Sequence, residues 1–120
     1  MKQSEIALKR LQNQQLTSTQ FKKPDELISW MGAIQGQDYP GAKWAVGLRL
    51  PESTDVSVAK AMDDKAIFRT WLMRGTLHLV AAEDIHWMLT LMAPRIIKRN
   101  TRRYKELELD DKTLKKVIMC

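Results

Sequence analysis

Six basic residues with no acid between them stand in RIIKRNTRRYK, residues 95–105. On one continuous helix Arg95, Arg99, Arg102 and Arg103 would fall at i, i+4, i+7 and i+8, with Lys98 alongside. Such a face is either solvated or follows phosphates, and the lack of alternating acids leaves phosphate tracking open. Lys60 and Arg74 are further candidate phosphate contacts, whereas Arg69 is expected to pair with an acid inside the domain. His78, mid-strand, reads as a partnered structural histidine rather than an acid or ligand. His86 has no second ligand near it, so no metal is expected. The run QGQD, residues 35–38, offers two amides and a carboxylate. An amide is no general base at neutral pH, and Asp38 suits either a base or a helix cap. From the residues alone, Gln35 and Gln37 read as surface loop side chains.

The elements that must position these groups are mostly helical. Residues 3–16 carry Ile6, Leu8, Leu11 and Leu16 in a thin apolar stripe, which predicts a helix docked on the core. A polar connector follows, and then Pro24 with Asp25 and Glu26 opens a firmer helix lined by Leu27, Ile28, Met31 and Ile34. Residues 35–41 read as a turn. Beyond it Ala42, Ala45 and Gly47 would admit a close helix neighbour, and Trp44 and Leu48 share one stripe. Asp55 is the expected N-cap of a helix facing inward through Val56, Ala59 and Met62. AIFRTWLM (66–73) and TLHLV (76–80) flank Arg74-Gly75 as the arms of a β-hairpin, with Trp71 turned inward. A helix over 82–92 presents Ile85, Met88, Leu89 and Met92 to the core, Pro94 interrupts it, and a last helix starts at Asp110 or Asp111. A helical array closing on one hairpin is the order of a winged helix, a common DNA-binding architecture. The competing reading is a hairpin that merely packs on helices.

The expected fold class is therefore α+β: a winged helix-turn-helix domain at 21–81, an N-terminal helix and connector at 1–20, and a basic helical arm at 82–120. A length of 120 residues allows one such domain with its own core. The net charge of +6 suits a polyanionic partner. Asp63 and Asp64 beside Lys60 make the helix before the hairpin a poor major-groove reader. The one cysteine, Cys120, excludes an internal disulfide framework and a zinc set. Without an apolar run long enough for a bilayer or a signal peptide, a cytoplasmic protein with no membrane association is expected.

Three stretches, MGAIQGQDYPGAKWAVGLR (31–49), FRTWLMRGTLHLV (68–80) and AAEDIHW (81–87), resemble the N-terminal part of the bacterial crosslink-repair DNA glycosylases of the AlkZ and YcaQ type. The resemblance covers about residues 5–105 and only the first of that family's tandem winged-helix domains. It implies a fragment whose natural partners are duplex DNA, alkylated or crosslinked, and the further winged-helix domains of the same protein. It also implies hydrolysis of the glycosidic bond of N7-alkylated purines without a cofactor, with the isolated 120-residue chain inactive. Gln35 and Gln37 occupy the family's catalytic pair, commonly two polar residues around an aliphatic one. Gly36 departs from that pattern and is expected to hold the amides less firmly. Arg74, near the hairpin turn, and the arm residues are the expected phosphate contacts. The alternative is a non-catalytic, transcription-type winged-helix DNA-binding protein.

Overall fold

The structure, a computed structural model, describes residues 2–118, apart from the side chain of Ile118. Cys120 lies outside the described residues. Helices α1 (Gln3–Asn13) and α2 (Pro24–Met31) precede strand β1 (Ile34–Gln35); α3 (Tyr39–Gly47) and α4 (Asp55–Asp63) then lead to β2 (Ile67–Trp71) and β3 (Leu77–Ala81). The chain continues through α5 (Ile85–Arg99), α6 (Thr101–Glu106) and α7 (Asp111–Ile118). The strands form one antiparallel sheet in the order β1-β3-β2, so the expected hairpin acquires a third strand. Helix, short strand, two helices and a hairpin form a winged-helix-like α+β fold.

The sheet is covered on both faces. Leu27, Ile28, Ala42, Val46, Leu50 and Val58 close over Ile34, Ile67 and Leu79 on one side. Phe68, Leu72 and Val80 meet Ile85, Met88, Leu89 and Met92 of α5 on the other. Alternation along β2 and β3 sends successive side chains into one cluster and then the other. Asp84 fastens the second layer, accepting from Ser29 Oγ at 2.7 Å and from Trp87 Nε1 at 2.8 Å.

Several expectations are corrected. Helix α1 buries no residue, and Ile6, Leu8 and Leu11 stay exposed. It ends at Asn13, where Arg49 holds Gln14 through Nε to its carbonyl (2.8 Å) and Nη2 to Oε1 (3.1 Å). The inward stripe of α3 is Ala42 and Val46, leaving Trp44 71% and Leu48 51% exposed. Small residues there let α4 approach closely, and that spacing puts the large ones outside. Thr54, not Asp55, caps α4, accepting from Ser57 N at 3.1 Å while Ser57 Oγ accepts from Thr54 N at 2.8 Å. The cap starts the helix one residue earlier, and its inward stripe is Val58, Ala61 and Met62, with Val56 75% exposed. Trp71 is 58% exposed at the end of β2, past the reach of the helices. Pro94 lies inside α5 without ending it. It and Thr90, whose carbonyl loses its partner, are both on the exposed side, where the lost bond leaves no buried acceptor unsatisfied. Among the described residues, no helix is long and apolar enough to cross a membrane.

Candidate active site and basic cleft

The residues after α2 turn at Gly32 (φ 81°) and enter the sheet for two residues, Ile34 opposite Leu79 and Gln35 opposite His78. Gln35 is therefore a strand residue rather than part of a turn. A strand of two residues is too short to signal itself; β3 supplies its pairing. Gly36 extends the pairing by one bond, its N–H donating to the Leu77 carbonyl at 2.8 Å. A Cβ on Gly36 would lie 3.3 Å from the His78 carbonyl carbon and the Leu79 nitrogen. A side chain at this position would therefore need the neighbouring strand to give by a few tenths of an ångström. Gly36 is buried and pinned, which corrects the expectation of a loosened motif.

Gln37 leaves the sheet yet stays attached to it, its Oε1 accepting from Leu77 N at 3.2 Å. Gln35 and Gln37 are both exposed, and with Asp38, Gly41 and Ala42 they line one open hollow. Asp38 stands at the N-cap position of α3 but its side chain makes no capping bond. Its carboxylate lies over Gly41, where a Cβ would collide with it. The hollow so formed presents two neutral amides and one carboxylate. Such a set can orient a water and stabilise adjacent positive charge.

Sequence reasoning missed the groups that hold this loop from beneath. Among the described residues Arg69 pairs with no acid; its Nε donates to the Gly36 carbonyl at 2.8 Å and its Nη2 to the Gln37 carbonyl at 3.1 Å. The carbonyls win because the loop has left strand pairing and offers two unpartnered acceptors to the guanidinium fork. The Arg69 guanidinium stands 5.5 Å from the Tyr39 ring centroid, and Lys43 Nζ 4.9 Å from it. Lys43 bridges to Asp55 at 2.7 Å, a contact that keeps its ammonium charged to higher pH than an ordinary lysine. No local pattern marks the hydrogen-bond partners of Arg69 and Lys43, which are separated from them by 12 to 33 residues. His78 is 4% exposed, its Nδ1–H donating to the Thr76 carbonyl at 2.9 Å, the structural role expected of it.

The basic residues divide into two groups. Helix α5 ends at Arg99 and Asn100 separates it from α6, so Arg95, Arg99, Arg102 and Arg103 do not share one helical face. Arg74, Arg95 and Arg99 line a single cleft of about 340 Å³ with Met73, Met92 and Ile96. Arg99 Nη2 donates to the Arg74 carbonyl at 2.7 Å, joining α5 to the hairpin loop, where Arg74 (φ 57°) and Gly75 (φ 71°) are both left-handed. Arg102 and Arg103 both contact Glu106, at 3.1 and 3.2 Å, and Lys60 pairs with Asp64. All three pairs are exposed and cost little to release. Lys98 is exposed near the end of α5.

A family model described as DNA glycosylase AlkZ-like matches residues 28–119. An interstrand DNA cross-link repair glycosylase of Streptomyces sahachiroi is 31% identical over 84 residues, covering 70% of this chain and 23% of that protein. The solved structure of Streptomyces sahachiroi DNA glycosylase AlkZ is similar at a TM-score of 0.63 and 29% identity, covering 82% of this chain and 29% of that one. The chain thus spans about a quarter of the length of the curated relative it matches.

Proposed function

The chain belongs to the AlkZ-like DNA glycosylase family, and from that premise we propose that it is a duplex-DNA-binding module carrying the water-holding amides of an N7-alkylpurine glycosylase. The observation that carries this reading is the shared hollow of Gln35 and Gln37, both exposed and both fixed to the sheet edge.

A purine alkylated at N7 is cationic, so cleavage of its bond to C1′ returns the bonding pair to the base and releases it neutral. The leaving group needs no acid. The sugar becomes oxocarbenium-like, as in glycoside cleavage, and water closes on C1′ and gives its proton to solvent. The Gln37 carbonyl oxygen has a second lone pair beyond the one used by Leu77 N, and Gln35 has its whole amide to orient water. Asp38 adds negative charge beside the developing cation. Arg74, Arg95 and Arg99 are the proposed principal phosphate contacts, with Lys98, Arg102, Arg103 and Lys60 more peripheral. Their partners are backbone phosphates, so binding is expected to have little sequence preference.

Release of N7-methylguanine from alkylated duplex DNA tests the reaction. In a full-length version carrying the family's further domains, Gln35→Ala and Gln37→Ala are each expected to lower it at least tenfold; a full-length protein that releases no base, or variants that match it, would refute the catalytic reading. Gly36, standing where the family commonly has an aliphatic residue between its polar pair, favours a second reading, a binding module without chemistry. On that reading DNA affinity remains and excision is absent.

A further inference from the structure

We infer that Arg69 is a positioning residue for the glutamine pair, a role that rests on the reaction proposed above. Arg69 belongs to β2, the strand on the far side of β3 from β1. Its register partner is Leu79, whose other neighbour is Ile34, so its side chain shares the face of the sheet on which Ile34 lies. From there the guanidinium crosses β3 and takes the carbonyls of Gly36 and Gln37.

Those two carbonyls belong to the peptide planes on either side of the Gln37 Cα. A fork with its donors fixed in one plane sets both planes together, and with them the direction in which the Gln37 side chain departs. The side chain is caught a third time by Leu77 N. Gln37 is exposed, yet its backbone and its amide are both restrained, which an ordinary loop glutamine does not require. The Tyr39 ring lies against the same guanidinium, limiting where it can swing. An ammonium at this position would hold one carbonyl and leave the other plane free.

The test compares the chain with Arg69→Met and Arg69→Lys by amide hydrogen exchange, and a full-length version carrying the same substitutions by excision kinetics. In Arg69→Met, exchange at Gly36 and Leu77 should accelerate at least tenfold while Val80, central in the hairpin, keeps its protection. Excision kcat should fall at least tenfold with KM within twofold, and Arg69→Lys should recover part of both effects. Unchanged exchange at Gly36 and Leu77 would overturn the inference, as would acceleration that includes Val80 equally, the mark of general destabilisation. A weaker salt dependence of DNA affinity with exchange unchanged would instead make Arg69 a phosphate contact. A wild-type full-length protein that excises nothing would sink the proposed reaction, leaving exchange to decide the clamp by itself.

Discussion

Gly36 and Gln37 stand next to each other and are constrained for different reasons, so their substitutions should separate cleanly. Gly36→Ala adds a methyl 3.3 Å from two backbone atoms of β3, neither of which can move without disturbing the sheet. Overpacking of that kind costs about 1–3 kcal/mol, read as a lower urea midpoint at unchanged slope. Gln37→Ala removes the acceptor for Leu77 N at an exposed edge and should cost about 0.5–1.5 kcal/mol. Gln35→Ala breaks no side-chain bond seen among the described residues, and its melting temperature should match the parent's within error. Equal losses of excision from the two alanine variants, with unequal losses of stability, would therefore assign the shared effect to chemistry. Equal losses of both would point to a distorted edge instead.

At the level of elements, the helices and hairpin were legible because their signals are long: Pro24 with two acids, the β-rich arms around Arg74-Gly75, and the apolar spacing of Ile85 to Met92. Strand β1 was not, because two residues carry no periodicity and their pairing comes from a segment 43 or 45 positions away. Spacing also does not tell which stripe of α3 or α4 faces in: Ala42 and Val46 are inside while Trp44 is out, and Val58 is inside while Val56 is out. Of the site, the glutamines were legible only through resemblance, and the Arg69 contacts not at all. Pro94 is the clearest case of context overriding propensity: Pro94→Ala restores a backbone donor in α5 and should stabilise the chain by up to about 3 kcal/mol in urea unfolding. Helix α7 should respond to acid. Its Asp110 accepts from Thr113 N at 2.7 Å and from Thr113 Oγ1 at 2.6 Å, which holds its carboxyl below the ordinary carboxylate value. A group depressed in the folded state stabilises above its unfolded pKa and ceases to as pH falls through the folded one. Fraying of α7 should thus begin below about pH 4, followed as loss of the Thr113 amide resonance position, and Asp110→Asn should flatten that dependence.

Across the whole molecule, the sheet separates two jobs. One cluster, under α2 to α4, holds the glutamine edge; the other, under α5, holds the hairpin loop and the arginine cleft. Asp84 ties α2 to α5, so the two layers are coupled by one carboxylate. The electrostatics then make a quantitative prediction for the proposed DNA complex. Each phosphate neutralised on duplex DNA contributes about 0.9 to the slope of log affinity against log salt. Arg74, Arg95 and Arg99 line the same cleft, so they should act together on one phosphate rather than on three. Arg95→Gln should lower the slope by about 0.9, and adding Arg74→Gln should lower it little further, since the same contact is already lost. Arg99→Gln should do more than either, because its Nη2 also holds the Arg74 carbonyl and so shapes the loop that presents the cleft. Arg102→Gln, on a separate helix, should subtract its own contribution independently of the cleft. Fluorescence anisotropy titrations of a duplex at several salt concentrations distinguish these cases. Three additive slope changes within the cleft would mean that the arginines spread along the backbone, and a slope near zero in the parent chain would remove the phosphates from the account altogether.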